Sequence, residues 1–215
     1  MKPSARPRNI FVGRRAGLAL LAAIGLGGCS GSLLPKPAAP PVLFTLNDSA
    51  VASPRQAARA GTPTLLVALA QAAAGHDSRL IAYSREPNRI DYFAASEWVA
   101  PPAAMLTPLL ASAIEQSGAF RTVLRAPSDA AFDWRLATEG LRLIHEFSVV
   151  PSRVRLTLRI SLLDSSTRRV LAARDFEVVV TSASPDAAGG VAAAQTAALQ
   201  LAQEVAAFCA ASLRP

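Results

Sequence analysis

Between Val154 and Leu162 every second residue is apolar. Val154, Leu156, Leu158, Ile160 and Leu162 alternate with Arg155, Thr157, Arg159 and Ser161. A strict period of two belongs to a half-buried β-strand, because successive side chains leave a strand on opposite faces. One face therefore meets a core, and the other is solvated or meets a partner. Phe176, Val178 and Val180 alternate in the same way, beyond a turn at Asp164-Ser165-Ser166-Thr167. Upstream, Trp134 and Leu136 lie on even positions, whereas Leu141, Leu143, Phe147 and Val149 lie on odd ones. No single register serves both sets. A bulge near Gly140 reconciles them, and the whole predicts an antiparallel meander over about 133–181.

The other organising stretch is 79–120. Leu80–Tyr83 reads as a strand, Glu86-Pro87-Asn88 as a turn and Ile90–Phe93 as the returning strand of a hairpin. Pro101-Pro102 suits the first turn of a helix. Leu106, Leu109, Leu110, Ala113 and Ile114 then follow helical spacing, and Gly118 stands where a helix C-terminus wants it. Neither hairpin nor helix buries its apolar face alone, so the two are expected to cover each other in an α/β unit. Val42–Leu46 reads as a short strand, and 47–62 as irregular. Thr64–Ala70 reads as a strand buried on both faces or as a short helix, and Arg121–Arg125 as a strand. Ser184-Pro185-Asp186 opens a last helix, with Ser184 the expected N-cap. Its stripe is Ala194, Ala198, Leu201, Val205 and Phe208.

The N-terminus accounts for most of the charge. The 215 residues carry a formal net charge of +7. Lys2, Arg6, Arg8, Arg14 and Arg15 fall in the first 28, which hold no acid. Without those five, 17 basic residues face 15 acidic ones. No basic stripe with interleaved aromatics remains, so nucleic acid is not an expected partner. Residues 1–28 read as a signal peptide: a basic start, an apolar run from Ala16 to Leu26, then small residues. Leu26-Gly27-Gly28-Cys29 resembles a bacterial lipobox, which implies acylation of Cys29. Ser30, rather than Asp, then implies sorting to the outer membrane with the body in the periplasm. Residues 29–41 form a Pro/Ala-rich tether, and 42–215 the domain. Cys209 reads either as an intermolecular disulfide partner or as a small buried hydrophobe.

Chemistry is sparse. His76 and His145 are the two histidines. His145 is in phase with Leu143 and Phe147, and His76 sits in a turn. No spacing suggests a metal site, and there is no phosphate-binding loop or nucleophile elbow. Gly189-Gly190 follows no strand directly and is a weak phosphate signal. Glu139 and Glu146 lie on opposite sides of the supposed bulge. No catalytic set converges, so the expectation is a protein without catalysis, cofactor or metal.

Several motifs together resemble the ABC-type transport auxiliary lipoprotein family. These are the lipobox, Phe44-Thr45-Leu46, Arg79-Leu80 with Tyr83, Ile90–Phe93, Glu97-Trp98-Val99 with Pro101-Pro102, Met105-Leu106 and Gly118-Ala119-Phe120. The Ala-rich 71–75 stretch departs from the family's usual Pro-Gly turn. The resemblance implies a three-layer α/β fold with a mixed sheet. It also implies an outer-membrane lipoprotein that docks or receives a lipid-carrying MCE-domain assembly, served by an ABC permease and its ATPase, with a ring of subunits among the implied states. A structural envelope lipoprotein bracing a cell-wall or secretion complex is the alternative. Tyr83, Tyr92 and Trp98, with Arg89 at the turn, are the candidate docking residues, each pairing an apolar body with a polar tip. The same aromatics equally suit packing between hairpin and helix.

Overall fold

The computed structural model describes residues 39–47, 57 and 61–213. Cys29, the signal peptide and the tether through residue 38 lie outside the described residues, as does most of the 47–62 segment. The described elements run β1 (Val42–Phe44), β2 (Thr64–Val67), β3 (Leu80–Ser84), β4 (Asp91–Trp98), α1 (Pro102–Gln116), β5 (Thr122–Arg125), β6 (Trp134–Glu146), β7 (Arg153–Asp164), β8 (Val170–Thr181) and α2 (Ala187–Ala211).

The 13-residue β6 is the spine. One of its edges pairs antiparallel with β7, which pairs antiparallel with β8. The other edge is shared by two shorter strands, both parallel to β6: β2 at its start and β3 at its end. Backbone hydrogen bonds from Gln71 to Thr138 and from Ala73 to Leu141 fill the interval between them. Outward from β3 come β4, antiparallel, and β1, parallel; outward from β2 comes β5, parallel. The result is one mixed eight-stranded sheet.

The register shift in β6 falls between Glu139 and Arg142, with Gly140 at φ 63°. Glycine reaches that left-handed conformation without the Cβ penalty. The extra residue resets the phase, so Leu136 and Thr138 before it and Leu141, Leu143 and His145 after it all enter the same core. β2 is buried at all four positions, with β5 and β6 on its two edges. At the hairpin turn Asn88 takes φ 63°.

α1 begins with Pro102 at its first position. Thr107 is buried inside it, yet satisfied: its hydroxyl donates to the Ala103 carbonyl at 3.0 Å and accepts the Ala70 N–H at 3.1 Å. That bond ties the exit of β2 to the helix. The N-cap of α2 is Asp186, not Ser184: its carboxylate accepts the Gly189 N–H at 2.8 Å, while the Ser184 hydroxyl donates to the same carboxylate. Asp wins because it lies three residues before the free N–H and carries the charge a helix N-terminus favours. The buried stripe of α2 is mostly alanine, from Ala193 to Ala206, so its neighbours approach closely. Phe208 stays half-buried, against Phe176, and Cys209 takes the interior place beside it.

The two helices pack against each other as well as on the sheet. They therefore lie side by side on one face. The described residues thus set a helical layer over a mixed eight-stranded sheet, the α/β arrangement expected. Leu65, Leu106, Leu109, Leu110, Ile114, Leu136, Leu156, Ile160 and Leu201 fill the space between the layers. Burying one such side chain contributes about 1.5–3 kcal/mol.

Candidate docking face

With both helices on one side, the other face of the meander stays open. It presents Thr157 and Arg155 from β7, Arg142 and Ile144 from β6, and Glu177 and Val179 from β8, in aligned rows. Period-two alternation makes this unavoidable: the residues that interrupt the apolar positions all emerge together. Most of their charge is paired across strands. Arg153 and Arg155 each donate to Glu146 at 2.7 Å, Arg155 also bridges to Glu177, and Arg159 contacts both oxygens of Asp175. Burial pushes the Glu146 carboxyl up, but the hydrogen bonds from Arg155 and Arg153 outweigh it and hold the group below its ordinary range. Glu146 in turn raises Arg155.

The bulge shapes this face. A bulged strand bends and twists more strongly. An open depression of about 460 Å³ lies at that bend, lined by Glu139, Arg142, Thr157, Arg159 and Glu177 among others. A second, of about 210 Å³, is lined by Leu69, Gln71, Arg135 and Leu163 and shares Glu139 with the first. Leu69 is well exposed there. The trough thus combines paired charge with apolar and hydroxyl-bearing side chains. Such a surface suits a polar protein interface better than a catalytic cleft.

The structure separates the residues expected to dock. Register sets Tyr92 opposite Ala82 and Asp91 opposite Tyr83, so Tyr83 and Tyr92 leave the hairpin on opposite faces. Tyr92 is 37% exposed and its hydroxyl donates to the Gly75 carbonyl at 3.0 Å. Tyr83 is half-buried, 4.8 Å from the Phe93 ring and 5.7 Å from Phe147, with the Arg85 guanidinium 5.3 Å from its centroid. Trp98 is 2% exposed and belongs to the core, so the docking expectation is corrected at that position: its ring has no surface to offer. Arg89 is held by Asp91 at 3.2 Å and by Glu86 at 3.9 Å.

Both histidines are interior. His145 Nε2 lies 3.0 Å from the Ser152 hydroxyl, and its Nδ1 has no hydrogen-bond partner among the described residues. Burial lowers its pKa, opposed by the Asp186 charge; burial likewise lowers His76. Gly190 is explained by this ring rather than by phosphate, since a Cβ there would collide with the imidazole. Cys209 is fully buried and free, and burial pushes its thiol up to about 12. Among the described residues no three His, Cys, Asp or Glu side chains are grouped to hold a metal ion. None of the described helices is long and apolar enough to cross a membrane.

Comparison with known proteins completes the picture. A family model described as an ABC-type transport auxiliary lipoprotein component matches residues 44–206. Protein XCC0632 from Xanthomonas campestris, described as a DUF330 protein, superposes with a TM-score of 0.66 at 26% identity, over 80% of this chain and 95% of that one. A second crystal structure, of an uncharacterized protein, superposes with a TM-score of 0.58 at 11% identity, over 79% of this chain and 99% of that one, a likeness of fold. No curated protein matches.

Proposed function

The chain belongs to the ABC-type transport auxiliary lipoprotein family, and from that premise we propose a docking role for it at the outer membrane. It is anchored there through acylated Cys29, with residues 1–28 removed as signal peptide, and its domain faces the periplasm. It receives an MCE-domain protein that carries lipid from an inner-membrane ABC permease and ATPase. It works without catalysis or cofactor, and several copies assemble at the outer membrane.

The observation that carries this reading is the trough on the open face of the meander. One side of β6–β8 is covered by helix, and the other is a cross-braced surface with two open depressions, one of them lined in part by Leu69 and Leu163. Tyr92 and Arg89 remain candidate contacts on the neighbouring hairpin, and Tyr83 at its far side. Among the described residues β8 pairs only with β7, which leaves a 12-residue edge on which an added strand, from a second copy or a partner, can form.

The test is in-cell photo-crosslinking of the full-length lipoprotein from Thr157, followed by mass spectrometry of the membrane fraction. Capture of an MCE-domain protein supports transport. Capture of cell-wall or secretion components alone, from well-expressed protein, replaces it with the bracing role.

A further inference from the structure

The β6–β7 connection reads Phe147-Ser148-Val149-Val150-Pro151-Ser152, six residues without a charge. Val150 is 97% exposed, and Ser148 and Pro151 are exposed with it. The loop has a firm base. Phe147 donates its N–H to the Ser84 carbonyl at 2.7 Å and sets its ring 4.2 Å from His145. At the other end Ser152 is held by His145, and its carbonyl accepts the Ser182 N–H at 2.8 Å. The Ser84 bond places the loop beside the β3–β4 turn, where Arg85 covers Tyr83. An apolar tip backed by an aromatic ring and a guanidinium is the composition of a segment that sits between lipid headgroups and acyl chains.

The path of the chain points to the same end. Val42 pairs with Ser96 and Phe44 with Trp98, so β1 runs parallel to β4. β4 runs away from the β3–β4 turn. The N-terminal end of β1 is therefore directed toward the end of the sheet that holds the turn and the apolar loop. Only 12 residues separate Cys29 from Val42. Fully extended they span about 40 Å.

We propose that this end of the domain is a lipid-contacting platform, with Val149-Val150-Pro151 inserting shallowly into the membrane that holds the anchor. The proposal rests on the lipoprotein reading and adds an orientation to it. The opposite end of the meander, the Asp164–Arg169 turn, then faces away from the membrane.

The experiment uses the full-length acylated protein in vesicles of phosphatidylethanolamine and phosphatidylglycerol. V150C and S166C are labelled in turn with an environment-sensitive dye. Cys209 is buried and acylated Cys29 is blocked, so the label goes to the introduced thiol. Nitroxide lipids near the headgroup should quench the dye at position 150 at least two-fold more than at 166, with a blue shift confined to 150. A single cooperative melting transition in both variants shows that the fold is intact. Protein that floats with the vesicles but is quenched equally at both sites, or more at 166, overturns the platform and leaves the anchor standing. Protein that does not float overturns the anchor, and the platform with it.

Discussion

The meander turns twice, and its two turns are built on opposite principles. At the β7–β8 turn one carboxylate oxygen organises everything. Asp164 Oδ1 accepts the backbone N–H groups of Ser166 and Thr167 and both of their hydroxyls, at 2.7–3.0 Å. The Thr167 N–H leads in holding this half-buried acid down to about 2. At the β6–β7 turn there is no charge, and the support comes from beneath: Phe147, His145, Ser152 and the close approach of Gly190. A turn held by local hydrogen bonds can be fully hydrated. A turn held by packing leaves its own tip without work to do in the fold, and that tip is free for an external surface.

The hardest blow to this contrast is G190V. If the apolar turn truly stands on packed groups, the added side chain meets the His145 ring and destabilises the protein by about 1–3 kcal/mol or more, read as a fall in denaturant midpoint. Tolerance of valine would mean the base is slack. Acid titration comes next. The folded pKa values of His145 and His76 lie below the ordinary histidine value, so the unfolded chain takes up protons first. Their contribution is complete above about pH 6.5 and is lost as pH falls below it, with a slope of at most about 1.4 kcal/mol per pH unit per imidazole. H145N should flatten the stability profile between pH 6.5 and 5. D164A separates the turns by pH. Its folded pKa is depressed, so its contribution is present above about pH 4 and disappears as pH falls through about 2. The variant should melt below the wild type at pH 7 and with it at pH 1.5. V150S should have the smallest effect, within about 0.5 kcal/mol in any denaturation experiment, because the residue packs on nothing. A larger loss would place Val150 in the fold and take it away from the membrane.

Much of the fold was legible because period two is a strong signal. The alternation from Val154 to Leu162, and the clash of odd and even positions around Gly140, fixed the strands, the faces and the bulge before any geometry. Pro102 and Asn88 were equally readable, whereas Cys209 had two readings until its burial decided for the small hydrophobe. The hairpin aromatics were not. Whether Tyr83 and Tyr92 share a face depends on pairing across the turn, and an irregularity between Leu80 and Ala82 shifts that pairing within the hairpin. His76 gave no sign of its burial, because its cover comes from residues distant in sequence. The trough also went unseen, although its charges were all visible. Only the placement of both helices on one side leaves that face open.

The bulge at Gly140 has a consequence for how this chain can drift. Upstream of it core positions are even, and downstream they are odd. Removing one residue there would erase the bulge and leave every leucine on its own face, but removing one anywhere else in β6 would roll half of the strand over, presenting leucines to solvent and arginines to the interior. Within β6, then, lengths are governed by parity: insertions and deletions survive in pairs, or at the one site already irregular. A homologue lacking the bulge should reveal itself by leucines that stay on even numbers from one end of the strand to the other.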